Sequence, residues 1–353
     1  MKICFLFSNS HLADLTAEPK MALRLAWEVS KNGHHVHIIS NSTKNIQKIE
    51  RNINFLLFRG LGNLKTYLTN THKIVWYLNK IKPDILHVHG GVILVYAWCI
   101  NMCLKIPLAF TLCESLDTFS GLQKKLLLFC LSRMSSIFVI SSYYKNQLML
   151  NGIQEKRIVV ARLGLEDSFL VARRFKETNT DIFFFGDSSE ERGFDIVYSL
   201  AKEMKDLFFT ILIRWEKDCI HDLSELKKMP NVAVYYSPYK EPLINMICKS
   251  KIVLLPFRRM GVRPPLSIVE VMALEKCVVT STMTGNEEII ENNKNGILSD
   301  FKKLDEVKSK IEHLMTHPDE LERLGINAKK TIQTMYSRGE VRKIIQYYAL
   351  TKS

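Results

Sequence analysis

The 353-residue chain has no low-complexity tract, no apolar run of bilayer length and no cysteine–histidine cluster at metal-binding spacing. Each absence removes a class of protein. At 47% apolar and 24% charged residues, without biased segments, the composition is that of a folded globular chain and not a fibrous or disordered one. The strongest apolar run, 92–100, is interrupted by Asn101 and Lys105, well short of the roughly 20 residues that a span needs. A buried helix is expected there. The N-terminal run ICFLF is short and meets Ser8-Asn9-Ser10-His11, so no signal peptide is expected. Of eight cysteines only Cys99 and Cys103 stand at i,i+4, and no histidine accompanies them. Neither a zinc site nor a disulfide framework is expected, and the thiols suit a reducing cytosol. There is also no zinc finger, recognition helix or RNA-binding aromatic motif, and no readable Ser-His-Asp arrangement.

What is present is alternation. Apolar runs at 2–8, 35–40, 54–58, 84–90, 107–112, 136–141 and 157–164 read as strands, with helices expected near 20–32 and 63–81. After a polar basic stretch at 169–180 the pattern restarts. Strands are expected at 181–186, 208–215, 231–236, 251–256 and 276–281, and helices near 193–205, 240–249 and 265–275. The tail 303–350 reads as helical. Short βα connections of this kind build doubly wound parallel sheets, so an α/β protein of two Rossmann-like domains is expected. The boundaries are 1–168, rejoined by a C-terminal helix at 339–353, and 169–338. A site is expected in a cleft between the domains.

The charge is uneven. Residues 1–175 hold 22 Lys+Arg against 10 Asp+Glu, whereas 176–353 hold 27 against 26. A basic first half can attract nucleic acid, anionic lipid headgroups or an acidic substrate. The stretch GLQKKLLLFCLSRM (121–134) sets Lys124, Lys125 and Arg133 beside a Leu/Phe-rich face. It reads either as an ordinary amphipathic helix or as one that touches a membrane surface.

Several residues can carry chemistry. In GDSSEERGFD (186–195) the chain leaves a strand at Gly186 and enters a helix near Gly193, which puts Arg192 beside free backbone N–H groups. Arginine there suits a diphosphate; otherwise it is a surface arginine in a charged turn. Pro264 and Pro265 fit the first turn of a helix in which Glu270 stands among apolar neighbours. A carboxylate so placed needs a partner, such as ribose hydroxyls or Arg263. Thr284-Gly285 supplies a turn, and Glu287 and Glu288 stand at the start of a short helix whose dipole favours them in any case. In the first half, His87 and His89 share one side of a strand and read as buried, satisfied histidines or as site residues. Glu114 at a strand end can orient an acceptor hydroxyl or assist proton transfer. Ser141 and Ser142 read as helix caps.

On these residues the chain resembles the family-4 retaining glycosyltransferases of GT-B architecture. LAWEVSKNGHHVHIIS, KPDILHVHG, MSSIFVISSYYKNQL, IFFFG…ERGFDIV and SIVEVMALEKCVVTSTMTGNEEIIENNKNGIL match the family's motifs in order. The resemblance implies transfer of a hexose-type sugar from a nucleoside diphosphate donor to an acceptor hydroxyl, with retention and without a required metal or cofactor. It implies a donor pocket lined by Gly186, Arg192, Arg263, Ser267, Glu270, Thr284, Gly285 and Glu288. The catalytic residues it implies are Arg192, Glu270 and Glu114, and His89, Glu114 and Ser141 would face the acceptor. The implied acceptor is a glycan or lipid-linked glycan, as in cell-surface polysaccharide synthesis. The protein would be cytoplasmic or peripheral on an anionic inner membrane face, with no nucleic-acid partner. The chain departs from the pattern in four places. Val262 stands where the family has the first of two glutamates. Asp187 stands where it has a phosphate-binding arginine. Cys113-Glu114 replaces a frequent histidine, and LADLTAEPK replaces a Gly-Gly loop. The missing glutamate and the altered histidine favour a second reading, a non-catalytic partner subunit, and the two-domain architecture is shared by a third, a sugar-nucleotide epimerase.

Overall fold

Strand β1 (Lys2–Phe7) is buried over all but its first residue, and β4 (Ile85–His89) along its whole length. Strands covered on both faces take near-continuous apolar sequence, which is why these segments pair in parallel. The computed structural model describes residues 1–7, 17–41, 53–58, 64–134, 136–163, 165, 167–171, 178–214, 223–237, 242–283, 285–336 and 339–352.

By internal packing the chain divides into two units. Unit 1 comprises Met1–Gly164, Gly261–Arg263 and Arg338–Ser353; unit 2 comprises Leu165–Met260 and Pro264–Ser337. In unit 1, β2 (His35–Asn41), β3 (Ile53–Phe58), β5 (Leu108–Leu112), β6 (Ser136–Val139) and β7 (Ile158–Val160) join β1 and β4 in a seven-stranded parallel sheet of order β3-β2-β1-β4-β5-β6-β7. Unit 2 holds β8 (Thr180–Gly186), β9 (Phe209–Ile213), β10 (Val232–Tyr236), β11 (Ser250–Leu255), β12 (Cys277–Ser281) and β13 (Ile297–Ser299), in the order β10-β9-β8-β11-β12-β13. Both are the doubly wound sheets expected. In such sheets ligands bind outside the carboxyl ends where strand order reverses. Those points lie between β1 and β4 in unit 1 and between β8 and β11 in unit 2.

All twelve expected strands form. β13 was not expected: its three residues follow the turn at Gly296 and exist through parallel pairing with β12. The helix expected over 63–81 is two helices, Leu64–Thr69 and Thr71–Ile81, because the Thr71 hydroxyl bonds the carbonyls of Tyr67 and Leu68 at the break. The expected short helix at 286 is a hydrogen-bonded turn over 285–289. The buried Asn286 pulls the chain back there by donating to the Ser281 carbonyl at 3.0 Å. The run 92–100 lies in the helix Gly91–Leu104, which buries Ile93, Leu94, Tyr96 and Ala97 but exposes Val92 and Met102. It is only half buried. No helix among the described residues is long and apolar enough to cross a membrane.

The C-terminal helix Gly339–Lys352 belongs to unit 1. Ile344 and Tyr348 enter that unit's apolar cluster, and Glu340, only 6% exposed, accepts the Arg162 amide at 2.9 Å.

Candidate functional site

In unit 2 the loop leaving β8 meets the loop leaving β11. Glu190–Arg192 forms one 3-10 turn, followed by Gly193 at φ +71° and the helix Phe194–Glu203. Gly193 is fixed by contact as well as by φ: a Cβ there would lie 2.0 Å from the Pro256 carbonyl oxygen. Arg192 thereby reaches the β11 loop. Its Nε lies 3.4 Å from Asp187 Oδ2, its Nη1 2.8 Å from Met260 Sδ, and its guanidinium 5.6 Å from the centre of the Phe257 ring.

One expectation changes here. The backbone N–H groups of Arg192, Gly193 and Phe194 were expected free, but they donate to the carbonyls of Ser189, Glu190 and Ser189. The turn closes on itself before the helix begins, which consumes those donors. Arg258 pairs with Glu190 and Asp195, and its amide and that of Arg259 both donate to the Glu191 carbonyl. Arg258 braces the turn that carries Arg192. Arg259 lies 3.8 Å from Glu191.

Three oxygens in this region, Asp187 Oδ1, Ser188 Oγ and Asp195 Oδ1, are buried without a hydrogen-bond partner among the described residues. Sequence reasoning missed Ser188, and nothing local marks it. Buried unpaired oxygens are costly, and polar hydrogens of a ligand would relieve that cost. Gly186 closes β8, and its carbonyl accepts the Arg214 amide at 2.9 Å.

Glu270 lies in the helix Leu266–Ala273 and is 5% exposed. Pro264 and Pro265 precede this helix, with Pro265 at its N-cap; they were expected inside the first turn. Ser267 is half-buried one residue into the helix. Gly285 is buried at φ +104°, and Glu288 is half-buried. Thr284 lies outside the described residues. So unit 2 brings Gly186, Asp187 and Arg192 together, and holds Ser267, Glu270, Gly285 and Glu288 on neighbouring segments.

Arg263 is held differently. It belongs to unit 1, where its amide donates to Tyr144 Oη at 2.9 Å and its guanidinium lies over the Tyr143 ring, 5.1 Å from the centre. The Ser141 hydroxyl donates to the Arg263 carbonyl at 2.8 Å. Ser141 stands at the N-cap of Ser142–Leu150 but makes no capping bond, contrary to its expected role. Val262, between these anchors, packs on the apolar cluster of unit 1. A carboxylate at that position would be half-buried against hydrocarbon.

The unit 1 residues stand at the ends of β4 and β5. Glu114 Oε1 accepts the Gly91 amide at 3.1 Å, at the start of the Gly91 helix. Burial raises its pKa, and the Gly91 bond opposes that rise. His87 is satisfied, bonding Tyr348 Oη and, at 2.7 Å, Thr111 Oγ1. His89 is fully buried, stacked 4.6 Å from His87, and neither ring nitrogen has a partner among the described residues. Burial lowers its pKa to about 3. His89 was expected to face an acceptor; it is shut behind Phe5, Phe7 and His87, and an acceptor would reach it only if that packing opened.

Among the described residues no group of three or more His, Cys, Asp or Glu side chains is arranged to hold a metal ion.

Two family profiles match the chain. Glycosyltransferase Family 4 covers residues 20–169, and Glycosyl transferases group 1 covers 168–331. A Campylobacter jejuni relative, N,N'-diacetylbacillosaminyl-diphospho-undecaprenol alpha-1,3-N-acetylgalactosaminyltransferase, is 24% identical over 251 residues. These span 64% of this chain and 65% of the relative's length. Anabaena Alr3699/HepE, crystallised with UDP, superposes with a TM-score of 0.79 at 15% identity over 99% of this chain and all of that one. Sucrose-phosphate synthase of Thermosynechococcus elongatus gives 0.81 at 12% identity, covering 99% and 98%. At these identities the structures establish the fold.

Proposed function

The chain belongs to the family-4 glycosyltransferases of GT-B architecture, and we propose that it transfers a sugar from a nucleoside diphosphate donor to the hydroxyl of a lipid-linked glycan, with retention. One observation carries the reading. The turn that family members use for phosphate is built in unit 2 with Arg192 still on it, 3.4 Å from Asp187. Arg192 would stabilise the charge that develops on the diphosphate leaving group. Glu270 would accept from the ribose hydroxyls, and Ser267, Gly285 and Glu288 would complete the donor pocket. Thr284 is assigned the same role from the sequence. Glu114 would orient the acceptor hydroxyl.

The donor class is supported by Anabaena HepE, which was crystallised with UDP and with UDP-glucose. The acceptor class is supported by the Campylobacter relative, whose name specifies a diphospho-undecaprenol acceptor. The basic balance of residues 1–175 suits such an acceptor and an anionic membrane face.

A thermal-shift comparison of UDP, GDP, ADP and TDP tests the donor, because a ligand of the folded form raises its melting temperature. One should stabilise the chain, and Arg192→Ala should cut transfer with the matching sugar nucleotide by about 100-fold or more. Stabilisation by none, or near-normal turnover in Arg192→Ala, would remove the reading.

Val262 and Asp187 favour a second reading, a non-catalytic partner subunit, since both remove a charge that the family uses. Transfer or donor hydrolysis by the purified chain alone would exclude it.

A further inference from the structure

Unit 1 contains a groove of about 300 Å³ that the residues assigned so far do not use. Three segments wall it. Leu68 comes from the helix Leu64–Thr69, Val92 and Val95 from the Gly91 helix, and Phe119 and Leu126 from the loop and helix that follow β5. The lining is almost wholly apolar. The helix Gly121–Leu131 turns Leu127, Cys130 and Leu131 into the core and leaves Leu126 at 44% exposure; Leu68 is 58% exposed. A concave, mostly apolar site of this volume falls at the small end of the range that ligand pockets occupy.

The groove's floor depends on one glycine. A Cβ at Gly91 would lie 2.4 Å from Phe119 Cζ, so the absence of a side chain lets the Phe119 ring close on the first turn of the helix. The amide of the same Gly91 is the one bonded to Glu114. The groove therefore begins beside the carboxylate assigned to the acceptor. The helices that wall it also carry cations. Lys65 lies on the helix of Leu68, and Lys124 and Lys125 lie on the helix of Leu126. Lys124 is 3.8 Å from Asp117, while Lys65 and Lys125 make no ion pair among the described residues.

A hydrocarbon channel between helices that carry lysines matches an amphiphile with one apolar chain and an anionic head. We propose that this groove holds the proximal prenyl chain of a prenyl-diphosphate-linked acceptor, with Lys65 and Lys125 attracting the diphosphate. The proposal rests on the lipid-linked acceptor reading above and adds where the lipid lies and which residues select it.

The test uses the full chain, with farnesyl diphosphate as probe and inorganic diphosphate for comparison, in calorimetric titrations. The variants are Leu126→Asp, which charges the groove, and Val92→Trp, which fills it. Both positions are exposed, and a retained melting shift with the stabilising nucleotide shows that each variant is folded. Farnesyl diphosphate should bind at least tenfold more tightly than inorganic diphosphate, and both variants should abolish that difference. Equal affinity for the two probes in the wild type would overturn the proposal, as would variants that bind farnesyl diphosphate undiminished. Unaltered capture by phosphatidylglycerol vesicles alongside either result would point to a membrane-surface role for the lysines and also overturn it. Prenyl binding that the variants abolish, without transfer to any prenyl-diphosphate-linked sugar, would keep the groove and overturn the acceptor reading. Transfer that persists unchanged in both variants would do the reverse.

Discussion

Asp187 Oδ2 lies 3.4 Å from Arg192 Nε, so the turn proposed to receive a diphosphate carries its own counter-ion. Each side chain is about one quarter exposed. A pair at that depth contributes about 1 kcal/mol or less, and a ligand diphosphate can compete for the guanidinium. Asp187→Asn should remove both the competition and the repulsion of an incoming anion. The dissociation constant of the stabilising nucleoside diphosphate should fall by about fivefold, measured calorimetrically at low salt. Weaker binding in the variant would mean that Asp187 holds Arg192 in its working position.

Glu270 is assigned to the nucleotide. Glu270→Gln keeps the size of the side chain but turns a charge-assisted acceptor into a neutral one. Hydrogen bonds to charged groups contribute about 1.5–3 kcal/mol, so the dissociation constant should rise by about 10- to 100-fold. The loss should appear mainly in the KM for the donor, with a smaller change in kcat. Unchanged donor affinity, together with a lowered melting temperature, would give Glu270 a purely structural role.

Gly193 joins the Arg192 turn to its helix. Gly193→Ala would force a Cβ to within 2.0 Å of the Pro256 carbonyl oxygen at φ +71°. The left-handed backbone alone costs about 1–2 kcal/mol, and the steric overlap adds to it. Guanidinium denaturation should show a midpoint clearly below that of the wild type. A midpoint that stays put would mean that the loop after β11 yields at little cost.

His89 makes acid stability a test of burial. Its imidazole is held neutral in the fold, with a pKa of about 3, while the unfolded chain titrates near the ordinary value of 6.5. Between those values the unfolded state binds more protons, so stability falls as pH drops below about 6.5, by about 1.4 kcal/mol per unit. His87, also held neutral by burial and by its neighbour His89, adds in the same direction. Thermal melts at pH 7.5 and 5.5 should show a smaller acid loss in His89→Leu than in the wild type. Parallel slopes would mean that His89 is not a neutral buried group.

Most of the fold was legible because burial on both faces writes a local signature. IFFF before Gly186 and IVLL before Pro256 are continuous apolar runs, and each forms a strand. β13 was not legible, since three residues carry no periodicity and depend on β12. The turn at 285–289 was misread as a helix because acidic residues at a helix start look the same whether or not a helix follows. The buried side-chain amide of Asn286 settles it, and that contact is tertiary. In the candidate site, Gly186, Arg192 and Glu270 stand where the sequence places them, after a strand and within an apolar helix. Ser188 was not found, because an isolated serine in a polar turn has no pattern. The expectation that Ser141 caps its helix failed for a related reason: its hydroxyl has a partner 122 residues away.

Alone, the order of residues determined two parallel sheets, their helices and the run of family motifs, since hydrophobic period and turn chemistry act between near neighbours. Only the tertiary structure decided that Asp187 faces Arg192, that Arg258 braces its turn, that Val262 is taken into apolar packing and that His89 is sealed. Those outcomes depend on which distant loops the sheets bring to one edge, and the free energy of a charge depends on what lies within a few ångströms of it in space.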